Sequence, residues 1–452
     1  MNLLHRIAVT LFLLAAASAF LSAQSTARAS GGTEVLSCSP APCVLPATQA
    51  SQGPYVNVDA PIAANPINPN NLILGTNDYN CGGQGYEGLG FYISQDGGSG
   101  WDEYCSPDLS FNGKAYSPIS DPILGYDHNG VAYIAGFYGG VGALEAFQKS
   151  NDGGVTWSAP AVAIFRNNAF PYHCWMAVDD NIASPYVNSV YMSCVMHSAR
   201  PLKYQQVVVS HSRDGGATWR LAAVAPRQNI SEAQDMTTAM SVGKDGAVYV
   251  TWQYCFGRSA CQDNSTAYIL VSKSTDGGAT WTKPIVVASV VLQAGPPSTA
   301  AAIAVDNSNG TYSGNLYVSI GTWTGSFQQV QVVRSTDGGN TWSKPVAVAP
   351  GFTHDQFLPW ISVSSAGLVG VSWDDRRNDP NNVEFQPFAA ISRDGGQSFQ
   401  PNVELTSMFS SPNAIGDYNG ATWDGSNYYL AAWNGGDSGA NTQDYVGGIR
   451  LK

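Results

Sequence analysis

One eight-residue pattern, Ser-x-Asp-Gly-Gly-x-Thr-Trp, recurs six times and constrains this chain more than any other feature. The copies run Ser94–Trp101 (Gly100 in the Thr place), Ser150–Trp157, Ser212–Trp219, Ser274–Trp281 and Ser335–Trp342. The last is Ser392–Phe399, with Ser398 and Phe399 in place of Thr and Trp. Successive copies begin 56, 62, 62, 61 and 57 residues apart. Self-similarity at a fixed period marks a repeat architecture, one supersecondary unit used many times.

Each part of the pattern has a structural task. The Asp carboxylate accepts hydrogen bonds from the amides of its own turn, and paired glycines supply the positive φ at which the chain reverses. Trp then starts the next strand as a large apolar plug. An alternating strand precedes each copy, as in Tyr268-Ile-Leu-Val-Ser-Lys or Gln329-Val-Gln-Val-Val-Arg. The pattern therefore reads as a hairpin tip, and its six Asp residues as turn formers rather than catalytic acids.

Between tips the same strands return. In the fourth unit they are Thr238–Val242, Ala247–Gln253, Ala267–Lys273 and Trp281–Ala288. Four antiparallel strands repeated radially describe an all-β propeller, with the octapeptide at each third-to-fourth strand turn. Counting inner strands predicts seven blades, with six as the alternative. After the last tip, Ala421–Asp424, Tyr428–Trp433 and Tyr445–Leu451 supply only three strands. A segment around Thr33–Cys38 is the expected fourth, closing the ring.

The start reads as a secretory signal peptide: Arg6, an apolar run over Ile7–Leu21, and Leu21-Ser22-Ala23 for cleavage. That gives residues 1–23 as signal, 24–50 as a linker with the ring-closing strand, and 51–452 as the propeller. The eight cysteines are even in number and fit an oxidising, secreted or periplasmic location. Neighbour pairing, 38–43, 81–105, 174–194 and 255–261, keeps each bridge within one terminal segment or one blade. The net charge of −12 disfavours nucleic acid and anionic membrane as partners. A monomer is expected.

The octapeptides resemble the Asp-box, or bacterial neuraminidase repeat, of the sialidase superfamily, across residues 51–452. The resemblance implies a β-propeller and, in the sialidases themselves, a Tyr nucleophile activated by Glu, an Asp acid/base and three carboxylate-gripping arginines. Similar boxes occur in other glycosidases, in polysaccharide lyases, in sorting receptors and in proteins without known activity. The Phe/Tyr-Arg-Ile-Pro motif that carries the first sialidase arginine is absent. The corresponding stretch, Tyr55-Val-Asn-Val-Asp-Ala-Pro-Ile-Ala, has no Arg.

Topology selects the residues that can share a pocket. Crossovers between blades and second-to-third strand turns meet on the face opposite the octapeptides, around the channel mouth. Acids near the starts of inner strands are Asp59, Asp121, Asp235, Asp355 and Asp417, with His173 in the same place in the third unit. Carboxyls converging there would raise one another's pKa, as acid/base chemistry needs, or would merely hydrogen-bond loop amides. The same face gathers Arg166, Arg200, Arg227, Arg258, Arg376 and Arg377, as an anionic-sugar site or as ion pairs with acids such as Asp374 and Asp375. Tyr418 is the candidate nucleophile and Glu232 its candidate base, against a packing role for Tyr418. Trp360, with Tyr79, Tyr138, Tyr254 and Trp323, suits sugar stacking or blade packing.

These readings favour a secreted, sialidase-like glycosidase on acidic or decorated glycans. Its expected catalytic residues are Asp121, Asp235, Asp355, Asp417, Tyr418 and Glu232. Its expected substrate contacts are Arg200, Arg227, Arg258, Arg376, Arg377, Asp374, Trp360 and His173. The alternative is a non-catalytic propeller that binds glycan or protein. No cofactor or catalytic metal is expected. Asp306-Asn-Ser-Asn-Gly and Asp179-Asp-Asn offer oxygen atoms for a structural Ca²⁺, but both fall where ordinary turns are formed.

Overall fold

The computed structural model describes residues 42–451, apart from 84–85, 200, 258–260, 262–263 and 293–300. The expected signal peptide, Cys38 and the Thr33–Cys38 stretch lie outside the described residues.

Seven antiparallel sheets follow one another along the chain. Blade 1 runs outward through Ile62–Asn65, Asn68–Asp78, Leu89–Ser94 and Asp102–Cys105. Blade 2 comprises Lys114–Tyr126, Ala132–Gly140, Ala143–Ser150 and Ala161–Ile164. Blade 3 is Ala169–Val178, Val190–Ser198, Tyr204–Ser212 and Arg220–Ala223. Blade 4 is Ala233–Val242, Val248–Phe256, Thr266–Ser274 and Ile285–Val291. Ile303–Val305, Leu316–Trp323, Gln328–Ser335 and Val346–Ala347 form blade 5. Gln356–Val363, Val369–Asp375, Gln386–Ser392 and Asn402–Glu404 form blade 6.

Blade 7 is Gly420–Asp424, Tyr428–Gly435 and Gln443–Arg450, completed from the other end of the chain by Cys43–Gln49. The closing strand thus lies within 24–50, somewhat after the expected position, with Cys43 opposite Arg450 and Gln49 opposite Tyr445. Gln443–Arg450 is thereby paired on both sides rather than left as an open edge.

Apolar clusters show that the blades form a closed ring. Among the described residues, seven clusters each join one blade to the next, among them blades 1 and 2 through Ile73, Phe91, Tyr126 and Ile134, and blades 4 and 5 through Tyr249, Val271, Ile303 and Val318. The last joins blade 7 to blade 1, through Leu430, Ala432 and Val446 against Ile62, Leu72 and Leu74. A single blade has no partner for either face; seven placed in a circle have one for both.

All six octapeptides sit at third-to-fourth strand turns. In blade 2, Ser150 Oγ donates to Asp152 at 2.7 Å and accepts the Gly154 N–H at 2.8 Å. Asp152 also takes the Thr156 N–H and hydroxyl, at 2.9 and 2.6 Å. Gly153 and Gly154 have φ of 73° and 93°. A Cβ on Gly154 would stand 2.9 Å from Ile93 of blade 1, so the tip needs glycine to approach its neighbour. Asn71 of blade 1 holds the Gly153 carbonyl at 2.8 Å.

Three disulfides are described, Cys81–Cys105, Cys174–Cys194 and Cys255–Cys261, each joining the cysteines that neighbour pairing predicts. No helix among the described residues is long and apolar enough to cross a membrane.

Candidate functional site

The inner strands do not enter the ring smoothly. Asp121 (φ 58°) and His173 (φ 42°) sit at register breaks in blades 2 and 3, and Asp59 (φ 67°) precedes the inner strand of blade 1. Thr237 (φ 23°) and Leu358 (φ 49°) occupy the same kind of break in blades 4 and 6. A bulge re-aims one side chain out of the strand's alternation, and left-handed backbone at non-glycine residues is held only where surroundings enforce it. Blades 1 to 3 therefore offer Asp, Asp and His at their kinks, while blades 4 and 6 offer Thr and Leu. The mouth is chemically one-sided.

Asp417, from the crossover into blade 7, joins the acidic side. Its N–H donates to Asp59 Oδ1 at 2.6 Å. Asn77 Nδ2 donates to Asp59 Oδ2 at 2.9 Å, while Asn77 Oδ1 accepts the Asp121 N–H at 2.8 Å. The buried Asp59 thus orients both neighbours with its own oxygens already engaged. Gly416 allows this: a Cβ there would lie 2.5 Å from the Asp59 nitrogen. The Asp417 carboxylate is open to solvent, its side chain 61% exposed, and stands 3.8 Å from His173 Nε2.

Electrostatics follow from this crowding. Burial, then the charges of Asp417 and Asp121, push the Asp59 carboxyl well above the usual range. Burial raises Asp121 as well, the Asp417 charge adding to the rise and His173 opposing it. Glu87, half-buried in the long second-to-third turn of blade 1, is raised by burial and by both Asp121 and Asp417. Such a group keeps a proton where isolated carboxyls have lost theirs, the condition for a general acid. Two bridges brace it: Cys81–Cys105 ties down the turn carrying Glu87, and Cys174 follows His173 directly.

Immediately below, the channel is filled. Trp175 of blade 3 packs on Trp360 of blade 6 (centroids 4.4 Å apart) and edge-on to Tyr418 of blade 7 (5.4 Å). A ligand must lie across the mouth rather than thread the ring.

Of the residues singled out by sequence, Asp121, Asp417, His173 and Asp59 come together. Others are placed differently. Tyr418 is 7% exposed and its hydroxyl donates to the Pro122 carbonyl at 2.9 Å. Burial, then Asp59, Asp121, Asp417 and Glu145, drives its pKa up rather than down, which opposes its activation as a nucleophile. Glu232 is exposed in the crossover to blade 4; the glutamate whose charge reaches Tyr418 is Glu145. Asp235 is buried and accepts the Trp252 indole N–H at 2.9 Å. Asp355 binds Arg376 at 3.2 Å, Asn382 at 2.9 Å and the Gln328 amide at 2.8 Å, which makes it a structural tie.

The arginine expectation also changes. Arg376 is paired with Asp355, and Arg377 with Asp375 at 2.5 Å, its guanidinium lying over Phe352 and Phe388. Asp374 is buried and accepts from Asn419 at 3.0 Å. None of the three is open to substrate, and Trp360 belongs to the plug. Arg227 stays exposed on blade 3, whereas Arg200 and Arg258 lie outside the described residues. Tyr138 is buried in blade packing; Tyr79, Tyr254 and Trp323 are half-buried.

Asp306 and Asp179 act as turn formers, accepting the Ser308 and Asn181 amides at 2.9 and 3.2 Å. Among the described residues, the tightest groups of ligand-type atoms are Cys81, Glu103, Cys105 and Glu145, Cys174, Cys194. Both are built on sulfurs already joined as disulfides. Sequence reading missed Glu87 and Asn77, which lack any pattern of their own and reach the mouth only through the turn and strand geometry of blade 1.

No family model matches the chain, and no curated protein matches it either. Solved structures do. A protein of unknown function from Dyadobacter fermentans is 13% identical, with a TM-score of 0.50 over 91% of this chain and 100% of that one. A polysaccharide lyase, an ulvan lyase of a new family, is 15% identical with a TM-score of 0.50, covering 89% and 96%. A Hadza microbial sialidase is 12% identical with a TM-score of 0.49, covering 90% and 96%. The chain is similar to all three, and the first two show a shared propeller fold.

Proposed function

We propose that this propeller is a secreted, glycan-active enzyme that cleaves glycosidic bonds across its channel mouth. The observation that carries the reading is the convergence of Asp121, Asp417 and Glu87 with His173, over Asp59 as their anchor. Asp121, whose carboxyl is raised by burial and by Asp417, supplies the proton to the leaving oxygen. Asp417, open to solvent, takes the proton from the attacking water, with His173 holding its orientation. Asp59 and Asn77 are positioning residues. Glycosidases commonly work with such a carboxyl pair, one protonated and one not. The disulfides support an oxidising compartment. The polysaccharide lyase of similar fold supports a glycan as the substrate class.

Screening purified protein against a panel of extracellular glycans tests this, reading new reducing ends for hydrolysis and ultraviolet-absorbing unsaturated ends for elimination. Asp121→Asn and Asp417→Asn should each lower turnover about 10²–10⁴-fold, the usual worth of a general acid or base. Activity in the wild type should fall as pH rises through the raised pKa of Asp121, and Asp121→Asn should lose that limb. Wild-type turnover in both variants sinks the assignment. The second reading, glycan binding without turnover, is favoured by the engaged Tyr418 proton and predicts retained binding with no product from any panel member.

A further inference from the structure

We propose that a cavity on the mouth face of blade 3 is an anion subsite, where Arg166 and Arg227 grip the carboxylate or sulfate group of an acidic polysaccharide. The inference deepens the reading above and rests on it for the claim that the chain bound there is a substrate.

The cavity has a volume of about 150 Å³ and is lined by Arg166, Asn168, Ser198, Tyr204, Gln206 and Arg227. Arg166 Nη1 donates to Gln206 Oε1 at 3.1 Å, which fixes the guanidinium while leaving most of its donors unused. The Arg227 guanidinium lies 5.9 Å from the Tyr204 ring centroid. Neither arginine has an acid partner among the described residues, where the ion pairs are His173–Asp417, Arg376–Asp355 and Arg377–Asp375. The contrast within one protein is informative. Arg376 and Arg377 are neutralised by buried aspartates, whereas Arg166 and Arg227 are gathered at one cavity and left without an anion.

In a chain of net charge −12, two unneutralised arginines in one cavity need a local reason. Each raises the free energy of the other's charge, and burial together with Arg227 pulls Arg166 below its ordinary pKa. An entering anion reverses that repulsion, and the planar guanidinium offers paired donors to a planar carboxylate or a tetrahedral oxyanion.

The inner strand that borders this cavity also carries rings towards the acids. His197 stacks on Phe170 (centroids 5.3 Å, 14°), and Tyr172 meets His197 at 5.3 Å and His173 at 4.1 Å. Tyr172 is 38% exposed, and His173 in turn faces Asp417. Phe170 and Tyr172 alternate onto one face of the inner strand, as residues two apart must. The strip gives the acidic side of the mouth an aromatic surface on the other face of the same blade, suited to sugar rings.

Binding of three oligosaccharide probes tests the proposal: polygalacturonate for carboxylate, a sulfated galactan for sulfate, and an unsulfated galactan as neutral reference. Calorimetry at low ionic strength gives Kd for wild type, Arg166→Gln and Arg227→Gln, with circular dichroism to confirm folding. Wild type should prefer at least one acidic probe, and the tighter one identifies the anion. Each substitution should weaken that probe about tenfold and leave the neutral one unchanged. Where turnover is measurable, KM for the acidic substrate should rise while kcat holds. Arg227 is exposed, so its variant remains informative even where Arg166→Gln unfolds. Equal affinity for acidic and neutral probes, or wild-type affinity in a folded Arg227→Gln, overturns the subsite. Loss of acidic binding in the arginine variants, with turnover untouched in Asp121→Asn, upholds the subsite and defeats the catalytic reading.

Discussion

Two aspartates outside the acidic cluster show what burial does to a carboxyl. Burial pushes Asp235 up to about 7 and Asp374 up to about 8, opposed by single hydrogen bonds from Trp252 and Asn419. In each, one carboxyl oxygen is buried without a partner. A raised folded-state pKa means that the native protein holds the proton longer than the unfolded chain does. Stability is therefore unaffected below the unfolded value near 4, and falls as pH rises towards 7 for Asp235 and 8 for Asp374. Asn keeps an acceptor for Trp252 and carries no charge. Asp235→Asn should gain on the order of a few kcal/mol over wild type at alkaline pH and little near pH 4. Thermal melts across that range measure it; a gain independent of pH would show that charge burial is not the cause. At Asp121, part-buried beside the charge of Asp417, burial likewise raises the carboxyl, and on the function proposed above that proton is the one donated.

At the scale of the element, the octapeptide turn and the bulged inner strand divide the labour. The turn consumes its acid: Asp152 is held down to about 2, first by the Thr156 hydroxyl and then by the Thr156 amide. A depressed folded-state pKa contributes stability above the unfolded value and loses it as pH falls through about 2. Asp152→Ala should lower Tm at neutral pH, with the difference shrinking under strong acid, and should leave glycan turnover unchanged. Lost turnover with an unchanged Tm would make these aspartates catalytic candidates instead of turn formers. The bulge works in the opposite sense, since its left-handed residue is freed from ladder pairing and leaves the strand's alternation. Alternation alone does not announce it, because the residue at the break breaks the alternation. Asp235 and Asp355 were therefore placed at the mouth by sequence position, while the kinks of their blades fall on Thr237 and Leu358.

For the whole molecule, closure is the decisive contact. Cys43–Gln49 covers the outer edge of Gln443–Arg450, and the blade 7–blade 1 cluster seals the ring. A chain truncated before Ala50 should melt at lower temperature and self-associate through the bared strand, as light scattering would report. A monomer with wild-type Tm would show that the ring holds without its clasp. The repeat of Asp-Gly-Gly tips, with their spacing, determined a propeller, its strand order and the placement of the turns, because those depend on local hydrogen bonds and short-range periodicity. Neighbour pairing of the cysteines likewise matches the three described bridges, each of which lies within a blade. Which acids meet was decided by tertiary structure alone. Asp59 and Asp417 are separated by nearly the whole chain, yet one hydrogen bond of 2.6 Å joins them, because a closed ring makes its first and last blades neighbours.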